Sequence, residues 1–123
     1  MKDHAKGFLS LVEDALKQIP EVDAYQIKER LDKGEKVNLI DVREDNEWNL
    51  GRIPTAIHLG KGIIERDIEA AVEDRSTQLI LYCQGGFRSA LAAESLNKMG
   101  YQNVCSMSGG FSAWVGNKFP ISQ

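Results

Sequence analysis

Residues 37–42 are almost continuously apolar, and this run constrains the possible folds of the chain more than any other feature. A β-strand with one face in water alternates apolar and polar residues, whereas a parallel strand that is covered on both faces is apolar nearly throughout. Residues 78–82 form a second run of this kind, and shorter strands are predicted at 56–59 and 103–107. We therefore expect a mostly parallel sheet that is covered on both faces.

Helical patterns occupy the segments between these strands. Residues 5–19 place apolar side chains at helical spacing, and residues 62–73 and 88–99 do the same later in the chain. Asp23 is a suitable N-cap for another short helix, and the glycine within residues 32–34 indicates that this helix ends there. Because strands and helices alternate, the sequence predicts an α/β fold with helices on both faces of the sheet.

Cys83 stands between a predicted strand and a predicted helix, in a short loop that contains glycine. The first N–H groups of a helix lack intrahelical acceptors, so such a loop can surround an anion, for example a thiolate. Gly85 and Gly86 allow the backbone to direct N–H groups inward, Arg88 adds a positive charge, and Ser89 can cap the following helix. A lone cysteine at a strand end is more often a small buried apolar residue, but these neighbours favour a nucleophile.

Ligands of parallel α/β sheets bind beyond the carboxyl ends of the strands. One predicted strand ends in Asp41, Arg43 and Glu44, and another ends at Cys83, so we expect all four on one rim of the sheet. Arg88 begins a helix, where a cation opposes the helix dipole. We therefore expect a carboxylate such as Asp41 or Glu44 to compensate its charge.

Four segments resemble, in order, the signature motifs of one protein family. They are Asp-Val-Arg-x-x-x-Glu at 41–47, Gly-Arg-Ile-Pro-Thr-Ala at 51–56, Cys-x-x-Gly-x-Arg-Ser at 83–89 and Gly-Gly-x-x-x-Trp at 109–114. On these motifs the chain resembles the rhodanese family of sulfurtransferases over roughly residues 20–120. Arg52 and Thr55 depart from the histidine and glycine that are usual in the second motif.

The resemblance implies a rhodanese-like fold with a central, mostly parallel five-stranded sheet that is flanked by helices on both faces. Residues 20–123 would form this rhodanese-like domain, and residues 1–19 an N-terminal amphipathic helical extension. We expect the apolar face of the extension to pack back onto the domain, with dimer formation or docking of a sulfur-acceptor protein as alternatives. The chain would be a monomer or a weak homodimer.

The resemblance also implies a thiosulfate sulfurtransferase with Cys83 as its catalytic residue. Cys83 would take sulfur from thiosulfate or another sulfane-sulfur donor as a persulfide, and pass it to cyanide, a thiol or a thioredoxin-like protein. No metal and no organic cofactor is needed for this cycle. The loop expected to hold the persulfide comprises Gln84, Gly85, Gly86, Phe87, Arg88 and Ser89.

Five further side chains each have two interpretations. Arg43 and Lys61 can attract an anionic donor or can be solvated surface charges. Phe87 can form an apolar wall that selects the acceptor, or can anchor the loop by packing. His58 is expected to be a core or hydrogen-bonding residue rather than a base, and Cys105 a core residue rather than a resolving thiol.

Two other functions stay open for the chain. Cysteine phosphatases use a similar nucleophile, but they carry five residues between cysteine and arginine, whereas Cys83 and Arg88 enclose four. The shorter loop narrows the cradle and favours a persulfide sulfur over a tetrahedral oxyanion. A non-catalytic binding module is also compatible with such a fold, although the intact cysteine argues against it.

Charge and composition argue against several other classes of protein. The net charge is −3 and no dense basic run occurs, so we expect no nucleic-acid partner. No apolar segment approaches the length of a membrane span, and the mixed charges of residues 1–19 do not favour a membrane surface. Glu13 and Asp14 interrupt the first apolar stretch, so a cytoplasmic location is predicted. The two cysteines indicate neither a disulfide framework nor a metal site.

Overall fold

The computed structural model describes residues 4–123, so residues 1–3 of the predicted extension lie outside the described part of the chain. None of the helices that these 120 described residues form has the length and apolar character that a membrane span requires. The elements, in chain order, are α1 (Lys6–Leu16), β1 (Glu21–Val22), α2 (Ala24–Asp32), β2 (Leu39–Asp41), α3 (Asp45–Leu50), β3 (Ile57–His58), α4 (Ile64–Ala71), β4 (Leu79–Tyr82), α5 (Phe87–Lys98), β5 (Val104–Met107) and α6 (Gly110–Gly116).

All five strands lie parallel in one sheet, in the order β1-β5-β4-β2-β3. The predicted α/β fold with a mostly parallel five-stranded sheet is therefore confirmed. β2 and β4 are neighbours, and their register pairs Asp41 with Tyr82 at the carboxyl ends. This register brings the residues that follow β2 next to the loop that follows β4.

Helices cover both faces of the sheet, and each face has its own apolar core. α4 and α5 cover one face with side chains such as Ile68 and Leu96, whereas α2 and α6 cover the other with Ile27 and Trp114. The central strand β4 contributes to both cores, which explains why its sequence is apolar throughout. Full burial of one such side chain stabilises the fold by about 1.5–3 kcal/mol.

The N-terminal helix α1 adds an outer layer on α5. Val12 and Ala15 are buried against Ala90, and Phe8 packs beside them. The described part of the extension thus packs back onto the domain, while Leu11 on its outer side is 59% exposed.

Most predicted elements are present with ends shifted by a few residues. Asp23 caps α2 as predicted, since its carboxylate accepts the Gln26 N–H at 2.8 Å and the Gln26 side chain accepts the Asp23 N–H at 2.8 Å. The sequence prediction missed β1, α3 and α6. These elements have two, six and seven residues, too few for a strand or helix period to become visible.

Helix α6 holds the loop after β4 through its N-terminal backbone. The Phe111 N–H donates to the Cys83 carbonyl at 2.8 Å, and the Ser112 N–H donates to the Gln84 carbonyl at 3.0 Å. Gly110 has φ of +54°, and a Cβ there would overlap the Cys83 carbonyl oxygen. Only glycine allows this close approach of α6 to the loop.

A Gly110→Ala variant is expected to lose about 2–4 kcal/mol of unfolding free energy, because the added methyl group combines a steric overlap with an unfavourable positive φ. Urea denaturation measures this loss. Gly62→Ala is the matched control, since a Cβ at Gly62 meets no atom within 4 Å. Equal stability of the two variants would show that α6 can shift away from the loop at little cost.

Candidate active site

The Cys83 sulfur occupies the position of a capping group at the start of α5. It accepts the Gly86 N–H at 3.1 Å and the Ser89 N–H at 3.4 Å, and α5 has no other side-chain cap. The side chain is 1% exposed. Helix N-termini stabilise anions through such N–H groups, so the arrangement suits a thiolate.

The structure corrects the predicted role of Ser89. Ser89 lies inside the first turn of α5 and does not cap the helix. Its Oγ lies 3.5 Å from the Cys83 sulfur and 2.8 Å from Ser106 Oγ. The hydroxyl therefore forms part of the immediate surroundings of the sulfur.

Of the two loop glycines, only Gly86 is required by the geometry. Gly86 has φ of +100°, and a Cβ there would lie 3.1 Å from the Gly109 nitrogen and 3.3 Å from the Met107 carbonyl oxygen. A Cβ at Gly85 would meet no atom within 4 Å. The prediction that both glycines shape the cradle thus applies to Gly86 and finds no support in contacts at Gly85.

Arg88 is compensated by Glu47, not by the predicted Asp41 or Glu44. Its two terminal nitrogens reach the two Glu47 carboxylate oxygens at 2.8 and 3.0 Å. This ion pair lowers the pKa of Glu47 and raises the pKa of Arg88, and attraction to a charged Cys83 raises the pKa of Arg88 further. Glu47 closes the first sequence motif, and its position on α3 became evident only from the fold.

Asp41 instead forms a buried ion pair with Arg43. Arg43 Nη2 lies 2.7 Å from Asp41 Oδ2, and the two side chains are 2% and 0% exposed. The same guanidinium donates to the Gly51 carbonyl at 2.6 Å and to Gln84 Oε1 at 3.2 Å, and it lies over the Phe111 ring. The interpretation of Arg43 as a solvated surface charge is therefore wrong, and its burial against Asp41 gives no support to the attraction of an anionic donor.

Glu44 and Lys61 lie away from the sulfur. Glu44 precedes α3, and its N–H donates to Glu47 Oε1 at 3.0 Å. Lys61 is exposed and lines a separate cleft of about 510 Å³ that also contains Glu44 and His58. The expectation that Lys61 attracts a donor to Cys83 has no support in this placement.

His58 and Cys105 have the structural roles expected of them. His58 Nε2 lies 2.8 Å from the Arg43 carbonyl oxygen, and its ring stacks on Trp48 with 4.8 Å between centroids. Cys105 lies in the core between the sheet and helices α2 and α6, on the opposite face of the sheet from the core that contains Cys83. Burial raises the pKa of the Cys105 thiol.

The sulfur opens onto a cleft of about 650 Å³. Within residues 4–123, no group of three or more histidine, cysteine, aspartate and glutamate side chains is placed to hold a metal ion. Of the six loop residues expected to hold a persulfide, four line this cleft, namely Gln84, Gly85, Phe87 and Arg88. Four lining residues that the sequence did not single out are Glu47, Ser112, His4 and Phe8.

Comparison with known proteins identifies relatives over most of the chain. The model of the family described as "Rhodanese-like domain" matches residues 23–117. The chain is 34% identical over 103 residues to the putative sulfurtransferase YtwF of Bacillus subtilis, which covers 84% of this chain and 97% of that protein. It is also 34% identical over 85 residues to the thiosulfate sulfurtransferase GlpE of Shewanella oneidensis, which covers 69% of this chain and 82% of the relative.

A solved structure matches almost the whole chain. It is a protein of Rhodopseudomonas palustris described as of unknown function and as a possible tyrosine phosphatase. The TM-score is 0.88 at 26% identity, and the match covers 99% of both chains. The likeness therefore includes the N-terminal helix α1 as well as the sheet.

Replacing Asp41 by asparagine is expected to lower the unfolding free energy by about 3–5 kcal/mol, because Arg43 then remains buried without its counter-charge. Asp32→Asn is the control, since it removes the carboxylate of the surface pair with Lys28 and should cost less than about 1 kcal/mol. Chemical denaturation of both variants provides the comparison. Equal losses would mean that the Gly51 and Gln84 oxygens suffice to hold the Arg43 guanidinium.

The Glu47–Arg88 ion pair is expected to make stability depend on pH in the acidic range. Because the pKa of Glu47 is lower in the folded chain than its unfolded value of about 4.3, the pair contributes fully above about pH 5 and is lost as pH falls through the lowered folded pKa. Glu47→Gln should therefore be about 1 kcal/mol less stable than the parent at pH 7, with a difference that shrinks below about pH 4.

Urea denaturation between about pH 2 and pH 7 measures this difference. Glu13→Gln, on the exposed side of α1, controls for the loss of one carboxylate. A difference between parent and Glu47→Gln that stays constant over the whole range would contradict the assignment.

Proposed function

The chain belongs to the rhodanese-like domain family of sulfurtransferases, and on this basis we propose that it transfers sulfane sulfur through a persulfide on Cys83. The proposal rests on the position of the Cys83 sulfur at the start of α5, where it accepts hydrogen bonds from the N–H groups of Gly86 and Ser89. A group held in this way is stabilised as an anion and opens onto a cleft.

In the first half-reaction, the Cys83 thiolate attacks the outer sulfur of thiosulfate. A bond forms between the Cys83 sulfur and that outer sulfur, while the sulfur–sulfur bond of thiosulfate breaks and its electron pair leaves with sulfite. One sulfur–sulfur bond forms for the one that breaks, so no external oxidant is needed, and the negative charge of the thiolate passes to the outer sulfur of the persulfide. The N–H groups of Gly86 and Ser89 are the proposed donors to the anionic sulfur, and Arg88 lines the same cleft with its charge offset by Glu47.

The persulfide carries its charge roughly 2 Å beyond the cysteine sulfur. The proposed cradle is the backbone of residues 84–89, of which Gln84, Gly85, Phe87 and Arg88 line the cleft beside Cys83. An acceptor thiolate or cyanide then attacks the outer sulfur, and the electron pair of the broken bond returns to Cys83. Thiosulfate as donor and cyanide or a thiol as acceptor are part of the proposal, as is a cytoplasmic location.

A cysteine phosphatase is the main alternative, and two features argue against it. Only four residues separate Cys83 from Arg88, which makes a narrow loop. In addition, Glu47 pairs with both terminal nitrogens of Arg88, so a phosphate would meet a guanidinium whose charge is already offset by a carboxylate. The cleft therefore supports sulfur transfer better than phosphate hydrolysis.

Incubation of the reduced protein with thiosulfate should raise its intact mass by about 32 Da, the mass of one sulfur atom. Cys83→Ser should abolish this gain, whereas Cys105→Ser should retain it because Cys105 lies in the opposite core. Addition of cyanide should remove the extra mass and release thiocyanate in equal amount. Intact-mass spectrometry and a thiocyanate assay measure the two half-reactions separately.

A folded protein that gains no sulfur from thiosulfate or from glutathione persulfide would overturn the proposal. Hydrolysis of a phosphotyrosine ester that depends on Cys83 would then favour the phosphatase, and absence of both activities would favour a binding module. Circular dichroism of Cys83→Ser verifies that the variant is folded.

A further inference from the structure

Three aromatic rings line one side of the Cys83 cleft, and two of them come from the N-terminal segment. The His4 ring centroid lies 5.3 Å from that of Phe8 and 5.1 Å from that of Phe87, and the two phenylalanine centroids are 6.2 Å apart. All three residues line the cleft that contains the Cys83 sulfur. We call these three residues the aromatic wall.

The aromatic wall is held in place by the packing of α1. Phe8 precedes Val12 by one helical turn, so the two side chains lie on the same side of α1. Val12 and Ala15 are buried against Ala90 of α5, the helix whose first residue is Phe87. His4 and Phe8 precede the segment that matches the family, which begins at residue 23. Two of the three rings in the aromatic wall therefore lie outside the segment that the family model matches, while Phe87 lies within it.

The remaining lining of the cleft is polar. Glu47 and Arg88 neutralise each other there, and Gln84 donates to Ser112 Oγ at 3.0 Å. A cleft of about 650 Å³ is also much larger than cyanide or thiosulfate requires, and falls within the range of sites for organic ligands. One aromatic side and one polar side suit a molecule with an apolar carbon skeleton and a reactive polar end.

We propose that the aromatic wall binds the carbon skeleton of an organic thiol, and that a low-molecular-weight thiol with an apolar body is the preferred sulfur acceptor. This inference rests on the proposed persulfide function. The acceptor thiolate forms a bond with the outer sulfur of the Cys83 persulfide, the bond between the two persulfide sulfurs breaks, and its electron pair returns to Cys83. The product is the persulfide of the acceptor, and neither an oxidant nor a reductant is consumed.

The test isolates the acceptor step in a single turnover. Protein loaded with sulfur from thiosulfate is freed of excess donor and mixed with benzyl mercaptan, 2-mercaptoethanol or cyanide. Rapid quenching and mass spectrometry measure how fast the added mass of about 32 Da is lost. For each variant, the quantity of interest is the rate with benzyl mercaptan divided by the rate with cyanide, because this ratio cancels general changes in reactivity.

Phe8→Ala and His4→Ala should each lower this ratio about threefold to tenfold, the effect expected for one lost aromatic contact. Phe8→Tyr retains the ring and should restore most of the ratio. 2-Mercaptoethanol lacks a ring to contact the aromatic wall. For this thiol, the same substitutions should therefore change the rate relative to cyanide by less than about twofold. Leu11→Ala is the matched control, since Leu11 is on the exposed side of α1 and lies outside the cleft lining.

The outcomes separate this inference from the proposed function. If the parent protein does not load sulfur, the proposed function fails first. If it loads sulfur but Phe8→Ala and His4→Ala leave the ratio unchanged, or lower it no more than Leu11→Ala does, the aromatic wall does not bind the acceptor. His4 is exposed, so His4→Ala keeps the test valid even if Phe8→Ala weakens the packing of α1. Thermal unfolding of each variant monitors that packing.

Discussion

The carboxyl edge of the sheet depends on the buried ion pair between Asp41 and Arg43. A guanidinium removed from water is very costly unless every donor finds an acceptor, so Arg43 must be met by several groups at once. It is met by Asp41 at the end of β2, by the Gly51 carbonyl after α3 and by Gln84 in the cysteine loop. The hydrogen bonds of one buried guanidinium thus connect the end of β2, the residue after α3 and the cysteine loop.

A second ion pair, between Arg88 and Glu47, lies at the surface of the same loop and has a different role. Arg88 sits at the N-terminus of α5, where the helix already favours negative charge, and Glu47 offsets the cation there. Neither pair makes a direct contact with the sulfur. The Cys83 sulfur instead contacts the backbone amides of Gly86 and Ser89 and the Ser89 hydroxyl. Uncharged groups thus surround the sulfur, while the charged side chains hold the loop in place.

Sequence reasoning succeeded where a pattern is local and failed where long-range geometry decides. The apolar runs predicted the parallel sheet, and the residues around Cys83 predicted N–H groups directed at its sulfur, because each follows from neighbouring residues. The carboxylate that meets Arg88 lies 41 positions away, and nothing in local spacing distinguishes Glu47 from Glu44. Burial of Arg43 was equally hidden, since a charged residue after a strand usually reaches water. The contribution of His4 and Phe8 to the cleft depends on how α1 packs against α5.

The placement of the two cysteines in separate cores has a consequence for the lifetime of the persulfide proposed on Cys83. Cys83 belongs to the core under α4 and α5, and Cys105 to the core under α2 and α6, with the sheet between them. The proposed persulfide on Cys83 would therefore meet no second thiol of its own chain, since the sequence contains no further cysteine. Its release would have to await a molecule from outside, so the protein would act as a sulfur reservoir whose residence time is set by the supply of acceptor.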